Sequence, residues 1–257
     1  MTVVQPIVEV PLLSWRNYLE LISDWIESGR NGQQVDEFWF RGQASSTFNL
    51  VASLDRSLKE QSPATRNDVE TEMVKVFKNR TETEDELQGL EAEQVLSILQ
   101  HYGAPTRLLD WTTSPYIAAF FAFAGDQARR SIAGAPSDMV SVWAIRPQDE
   151  SIRGKVGVVP FEPIARGNER IGAQHGRFTR TTSNLESVDA HVLDYYARRA
   201  PGSTVLYHFM IPQSDASRAL RTLEQMGISS ETMFKGLEGV SRYSFFRALD
   251  LSKLLEG

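Results

Sequence analysis

The stretch SPYIAAFFAFAG, residues 114–125, places the strongest constraint on how this chain can fold. Serine followed by proline is typical of a helix start, with Ser114 as the N-cap and Pro115 at the first helical position. The residues that follow are apolar on every side of the helix axis, so no face of the helix favours water. We therefore predict a helix over 115–125 that is buried in the middle of a domain.

The same stretch also limits where the protein can reside. Its apolar run, 116–125, is about half as long as a membrane span requires. The N-terminus has no basic region and carries Glu9, so it does not resemble a signal peptide. We expect a soluble, cytoplasmic protein without membrane contact. The net charge of −6 argues against a surface that coats nucleic acid, although a local basic cleft is compatible with it.

Residue usage excludes several kinds of site. The chain has no cysteine, which excludes disulfides, thiolate zinc sites, iron–sulfur clusters and a cysteine nucleophile. The four histidines show no spacing typical of metal ligands, so we expect no metal centre. The familiar glycine-rich phosphate loops and the Gly-x-Ser-x-Gly elbow are absent from the sequence.

Local patterns predict one α+β domain. Ser14 as N-cap, an apolar stripe and Gly29 as stop indicate a helix over 14–28. The remaining patterns predict helices at about 62–79, 84–101, 183–199, 214–226 and 239–254, and strands at 37–41, 139–147, 155–161 and 204–212. The polar segment 125–138 is predicted to be a loop. Since no stretch resembles a linker between two cores, we interpret 1–257 as a single domain.

Three segments carry the candidate chemistry. In the first, FWFRGQ at 38–43, Arg41 is predicted to end a buried strand, where its charge needs a partner. That partner is either an internal carboxylate such as Asp110 or an anionic ligand. Gly42 would let the backbone turn or approach another group closely.

The second segment, QHYGAPTRLLDWTTSP at 100–115, is a turn-rich stretch just before the buried helix. Here Arg107 and Asp110 are interpreted as a local ion pair. The third segment, RGNERIGAQHGRFTR at 166–180, sets four arginines against one glutamate. We predict that the three segments converge, with Arg41 in or beside a cleft that also contains Ser114 and Gln174.

These segments resemble the FRG-domain family. The resemblance rests on FWFRGQ, LQHYGAPTRLLDWTTSPYIAAFFAF, RIGAQHGRF and SSETMFKGLEGV, and it runs from about residue 37 to 240. It implies a single FRG-type domain over 1–257 in which 1–34 is an N-terminal helical extension.

A weaker resemblance, to ADP-ribosyltransferase-like enzymes, implies more chemistry. FWFRG is similar to their first strand, and TTSPYIAAFFA is similar to their second motif, with Thr113 and Ser114 at the matching positions. Gln174 is the nearest candidate for their third motif. A glutamine cannot take a proton, so Glu162 and Glu169 are alternatives. This resemblance implies a split, mostly antiparallel sheet flanked by helices, with NAD bound as a substrate.

The same resemblance implies an NAD-dependent ADP-ribosyltransferase or NAD glycohydrolase, in the role of a bacterial toxin or phage-defence effector. Its acceptor would be a protein or a nucleic acid, and an antitoxin or another partner protein is a candidate partner. The implied catalytic residues are Arg41, Gln174 and Ser114. The residues implied in NAD binding are Arg41, Gly42, His101, Trp111, Thr113 and Ser114.

Physical chemistry is compatible with these roles. A guanidinium suits bidentate phosphate contact, a capped helix N-terminus attracts an anion, and Trp111 or Tyr102 would stack on a ring. Two other interpretations stay open. One is a metal-independent ribonuclease that uses His101, His175 and the arginines of 166–180. The other is a non-catalytic module that senses a nucleotide or a partner.

Overall fold

One sheet organises the computed structural model, which describes residues 4–133, 137–152, 157–163, 172–181, 185–234 and 236–255. Within these ranges the sheet has seven strands in the order β1-β7-β4-β2-β3-β6-β5. The strands are β1 (Ile7–Pro11), β2 (Trp39–Gln43), β3 (Leu108–Thr112), β4 (Met139–Ile145), β5 (Val158–Phe161), β6 (Gly176–Thr181) and β7 (Leu206–Pro212). The pair β1–β7 is parallel and the other pairs are antiparallel.

Helices flank this sheet. They are α1 (Trp15–Ser28), α2 (Ser53–Ser57), α3 (Pro63–Arg80), α4 (Ala92–His101), α5 (Pro115–Ala133), α6 (Val188–Tyr196), α7 (Ala216–Gln225), α8 (Ser230–Met233) and α9 (Leu237–Leu255). The expected α+β class with a mostly antiparallel sheet is thus confirmed. Within the described ranges, no helix combines the length and apolar character that crossing a membrane requires.

The sheet opens in its middle. Strands β2 and β3 are neighbours, but a single residue pair, Phe40 with Thr112, joins them. On either side the pairing is extensive, with five pairs between β2 and β4 and five between β3 and β6. The expected split sheet is therefore one sheet with a gap beside this junction, and the gap is where the candidate site lies.

Helix α5 fills the core, as its sequence predicts. Ser114 caps it by accepting a hydrogen bond from the Ile117 backbone N–H at 3.3 Å. The helix packs on β2 so closely that a Cβ on Gly42 would lie 1.9 Å from the backbone oxygen of Ala118. Only glycine fits at that position. The close approach expected of Gly42 is confirmed, and the partner is this helix.

Several boundaries differ from the sequence-based expectations: the helix expected at 84–101 begins at Ala92, and the helix expected at 183–199 is Val188–Tyr196. Helix α5 continues to Ala133, so most of the expected loop at 125–138 is helical, because alanine, glutamine and arginine extend a helix readily. Strand β2 is shifted by two residues, so Arg41 lies at its centre and not at its end. Strands β1, β3 and β6 were not predicted.

The N-terminal segment joins the same sheet and core. Within 1–34, β1 pairs with β7, and α1 starts at the Ser14 cap and stops at Gly29 as expected. The Trp25 ring on α1 lies 5.0–6.0 Å, centroid to centroid, from four aromatic rings of the sheet side, those of Phe38, Phe40, Tyr207 and Phe209. This aromatic cluster fixes α1 on the face of the sheet that α5 also covers.

Candidate functional site

A cavity of about 940 Å³ opens where β2 and β3 separate. That volume is within the range of small-molecule and cofactor pockets. Residues from all three sequence segments line it, namely Arg41 and Gly42, then His101, Asp110, Trp111 and Thr112, and then Gln174, Gly176 and Arg177. The predicted convergence of the three segments is therefore confirmed as geometry.

Arg41 faces this cavity and contacts Asp110. Its Nη1 donates a hydrogen bond to the Asp110 backbone oxygen at 2.7 Å and lies 3.7 Å from Asp110 Oδ2. The Arg41 side chain is 19% exposed, and its Nε has no hydrogen-bond partner among the described residues. Burial lowers the pKa of this guanidinium, and the Asp110 carboxylate opposes the shift. Arg41 thus has an internal partner, and its side chain still lines the cavity.

The cavity is basic although the chain as a whole is acidic. Arg41, Arg56 and Arg177 line it, and Asp110 is the single carboxylate among the described lining residues. Arg177 Nε lies 3.3 Å from Glu162 Oε1, but Glu162 itself does not line the cavity. Three guanidiniums in one pocket favour an anionic ligand with several acceptor oxygens.

Asp110 is held in place by a residue of α4. Gln100 Nε2 donates to Asp110 Oδ1 at 2.7 Å, and the Thr106 hydroxyl donates to Gln100 Oε1. Because Thr106 Oγ1 accepts from the Leu108 backbone N–H, its own proton is free for Gln100. This chain of hydrogen bonds fixes which end of the Gln100 amide faces Asp110.

The two rings of the second segment differ in access. Trp111 is 3% exposed and donates from Nε1 to Thr179 Oγ1 at 2.8 Å, so it forms part of the wall and offers little surface for stacking. Tyr102 is 81% exposed and does not line the cavity. Neither ring provides the stacking platform that we expected. His101, by contrast, is exposed and lies at the cavity wall, where a ligand can reach it.

Thr113 and Ser114 do not line the cavity, in contrast to Thr112 directly before them. The Ser114 hydroxyl is engaged in capping α5, and the Thr113 backbone N–H donates to the His175 backbone oxygen at 3.2 Å. The cavity is therefore lined by Arg41 and Gln174 but not by Ser114, which follows the lining residue Thr112 by two positions in sequence.

Gln174 lines the cavity, but its amide is already bonded. Its Nε2 donates to the Met233 backbone oxygen at 2.9 Å, which ties the third segment to α8. His175 follows in a turn with φ of 48° and does not line the cavity. Of the alternative residues, Glu162 contacts Arg177, and Glu169 is outside the described residues.

The expected ion pair between Arg107 and Asp110 is wrong. Arg107 is buried, its Nε lies 3.4 Å from Asp55 Oδ1, and its Nη1 lies 3.9 Å from Glu70 Oε2. Arg180 Nη2 contacts the same Glu70 oxygen at 2.8 Å. Arg107 precedes β3, while Asp110 is within the strand and points to the cavity. Arg107 therefore belongs to a structural charge cluster.

Sequence reasoning missed several lining residues, among them Asn49, Arg56, Gln100 and Phe121. Arg56 is in α2 and donates to the Val51 backbone oxygen, which orients its guanidinium. Each of these residues has a sequence context typical of a polar surface or a core helix. They become cavity residues because α2, α4 and α5 meet at the open sheet, and no local pattern encodes that.

Comparison with known proteins gives one match. Residues 36–131 match the family model described as the FRG domain. Neither curated proteins nor solved structures gave a match to the chain. The matched range contains β2, β3 and nearly all of α5, and it supports the resemblance of this chain to the FRG family over the first two of the three segments.

Proposed function

We propose that the cavity binds a pyrophosphate-bearing nucleotide, with NAD as the first candidate, and that the protein cleaves the nicotinamide–ribose bond. One observation carries the proposal. Among the described residues, three arginines, from β2, α2 and β6, line one cavity of about 940 Å³ in a chain whose net charge is −6. An acidic protein that gathers guanidiniums around a cavity of this size is suited to bind a phosphorylated ligand.

The roles follow from position. Arg41 and Arg177 would contact the pyrophosphate, with Arg56 adding to the positive potential. Phe121 offers an apolar surface for a ring, and His101 a polar contact at the wall. Gln174 would act through the turn that it anchors to Met233. Thr113 and Ser114 would act through the start of α5, not by touching the ligand.

Two features of the proposal come from resemblance. These are transfer of ADP-ribose to a protein or nucleic acid acceptor, and the role of a toxin or phage-defence effector with a partner protein. The ribonuclease alternative is not favoured, because His101 lines the cavity and His175 does not. A nucleotide-sensing module would use the same cavity and would differ only in leaving NAD intact.

The test combines NAD binding with nicotinamide release from the pure protein. Arg177→Ala removes a 28%-exposed guanidinium of the cavity, and the matched control Arg146→Ala removes a 28%-exposed guanidinium that pairs with Glu37 outside it. We expect Arg177→Ala to weaken NAD binding by about 10- to 150-fold, the value of a charge-assisted hydrogen bond. Arg146→Ala should bind like the parent.

Three outcomes separate the functions. Binding together with nicotinamide release supports the enzyme. Binding without release, in the presence of candidate protein and nucleic acid acceptors, supports a sensing module. A parent protein that shows no NAD-induced change in melting temperature and no nicotinamide release contradicts the proposal.

A further inference from the structure

We propose that Asp110 is the catalytic carboxylate of this cavity and that Gln100 is its positioning residue. The inference rests on the proposed function, because it assigns the group that acts at the reacting carbon of NAD. Asp110 replaces Gln174, Glu162 and Glu169 as the leading candidate for the group that acts at this carbon.

The first argument is access. Among the described residues that line the cavity, Asp110 is the single carboxylate, and its side chain is 63% exposed. Gln174 cannot accept a proton, and its amide is bonded to the Met233 backbone. Glu162 lies outside the lining and against Arg177. Within the part of the chain that the structure describes, a ligand in the cavity therefore meets one carboxylate able to accept a proton, that of Asp110.

The second argument is orientation. Gln100 Nε2 holds Asp110 Oδ1 at 2.7 Å, and the buried Thr106 fixes the Gln100 amide from behind. Arg41 Nη1 holds the Asp110 backbone oxygen at 2.7 Å while remaining 3.7 Å from Oδ2. The strand is thus fixed at this residue, one carboxylate oxygen is bonded, and Oδ2 is more weakly held and available to a ligand. Preorganisation of this kind is what a catalytic carboxylate needs.

The third argument is the chemistry of the bond. When NAD is hydrolysed, the C1′–N1 bond breaks and its electron pair leaves with nicotinamide, which neutralises the pyridinium charge. The ribose passes through an oxocarbenium-like state that a nearby carboxylate stabilises. Water forms the new bond to C1′, and its proton passes to Asp110 and then to solvent. In transfer, the acceptor nucleophile takes the place of water.

The deciding variant is Asp110→Asn, which keeps the side-chain size and the backbone oxygen that Arg41 contacts. We expect nicotinamide release to fall by about 100- to 10,000-fold, the usual contribution of general acid–base catalysis. NAD affinity, measured by calorimetry, should stay within about threefold because the arginines that bind phosphate are untouched. The exposed Asp36, which does not line the cavity, gives the control Asp36→Asn, expected to behave like the parent.

Gln100→Ala tests whether Gln100 positions Asp110, because loss of a positioning residue should affect kcat and KM differently. Loss of orientation at the reacting centre should lower kcat by about tenfold or more and leave KM nearly unchanged. Asp110→Glu restores the carboxylate and should recover part of the rate. A loss confined to stability, with kcat unchanged per folded molecule, would overturn the positioning role.

The failures are distinguishable. If Asp110→Asn keeps the parental kcat, the role of Asp110 is wrong and the proposed function stands. If the parent binds NAD but releases no nicotinamide under any condition, both the bond cleavage and the role of Asp110 are overturned, while binding stands. If the parent does not bind NAD, the proposed function itself is wrong, and Asp110 loses its role with it.

Discussion

At the scale of single residues, Arg41 shows how one side chain can be both structural and functional. Its contact with Asp110 gives the guanidinium an internal partner, and its place in the cavity wall leaves it available to an anion. Because Asp110 is mostly exposed, losing Arg41 does not strand a buried charge. The two partners considered for Arg41 in the first segment, an internal carboxylate and an anionic ligand, are therefore compatible.

Arg41→Ala should accordingly leave the protein folded. We expect the free energy of unfolding to fall by no more than about 3 kcal/mol, the value of a hydrogen bond to a charged group, and NAD affinity to fall by about 10- to 150-fold. Arg41→Lys should recover only part of the affinity, since an ammonium lacks the planar fork. Chemical denaturation and calorimetry measure the two effects, and unchanged affinity in a folded Arg41→Ala protein would show that Arg41 is structural only.

His208 is a second informative residue. Its ring stacks on Trp143 with centroids 3.8 Å apart and planes 5° from parallel, and it has no hydrogen-bond partner on either nitrogen within the part of the chain that the structure describes. Desolvation lowers the pKa of His208 to about 4, although Asp189 opposes the shift. Glu9 Oε1 lies 4.0 Å from Nδ1. The imidazole is thus neutral in the folded protein at neutral pH.

This predicts a loss of stability in acid. The unfolded chain takes up a proton near pH 6.5, whereas the folded protein does so only near pH 4, so stability falls as the pH drops through that interval. The depressed pKa corresponds to about 3 kcal/mol by linkage. His208→Phe keeps the stacking and should flatten the dependence between pH 6.5 and pH 4 in denaturation curves. An equally steep decline in the variant would show that other groups cause it.

At the scale of elements, α5 connects folding to the site. Phe120 of this helix is 2% exposed and lies in the core, whereas the neighbouring Phe121 lines the cavity. The absence of a side chain at Gly42 brings this helix against β2, which places Arg41 beside the gap between β2 and β3. The buried helix thus determines the wall of the cavity as well as the core.

The adjacent phenylalanines make a matched pair for testing this division. Phe120→Ala should lower the free energy of unfolding by about 3–5 kcal/mol, as expected for a well-packed core residue. Phe121→Ala should cost less stability, because this ring is only partly buried, and it should weaken NAD binding. A Phe120→Ala protein that loses less than about 1 kcal/mol would show that α5 is peripheral.

At the scale of the whole molecule, a buried cluster of charged side chains joins elements next to the cavity. Arg107, Asp55 and Glu70 are each nearly inaccessible to solvent, and with Arg180 they join α2 and α3 to β3 and β6. Thr181 Oγ1 also donates to Asp55 Oδ2 at 3.1 Å. The cluster therefore holds together elements that are distant in sequence and that surround one half of the open sheet.

Breaking this cluster should have a large effect. Arg107→Ala removes one of two arginines beside each buried carboxylate, leaving Arg66 near Asp55 and Arg180 at Glu70. The expected cost is about 3 kcal/mol of unfolding free energy, the low end for breaking a buried ion pair. Arg16→Ala removes an exposed arginine that pairs with Glu20 at 2.8 Å, and this control should cost at most about 1 kcal/mol. Thermal melting of both variants measures the difference. Equal losses would show that the buried cluster contributes little to stability.

Elements whose signals are local can be predicted from the sequence alone. The caps and breaks at Ser14, Gly29 and Ser114 give α1 and the start of α5, because capping depends on residues within one turn. The apolar residues on every side of α5 also predict its burial, because no face of the helix favours water. The three chemical segments were also recognisable from their composition. The family match supports the first two of them.

Which residues form the site depends on packing between elements that are distant in sequence. Strands β1, β3 and β6 escaped prediction, because an open, mixed sheet leaves their alternation of apolar and polar residues weak. The partners of Arg107 and Arg41 depend on the register of β3 against β2 and β6, which no local pattern encodes. Whether a polar residue reaches the cavity, as Asp110 does and Ser114 does not, depends on where the sheet opens. That opening results from packing between elements that are distant in sequence, since β2 meets β3 at Phe40 and Thr112 and pairs with β4 on its other side.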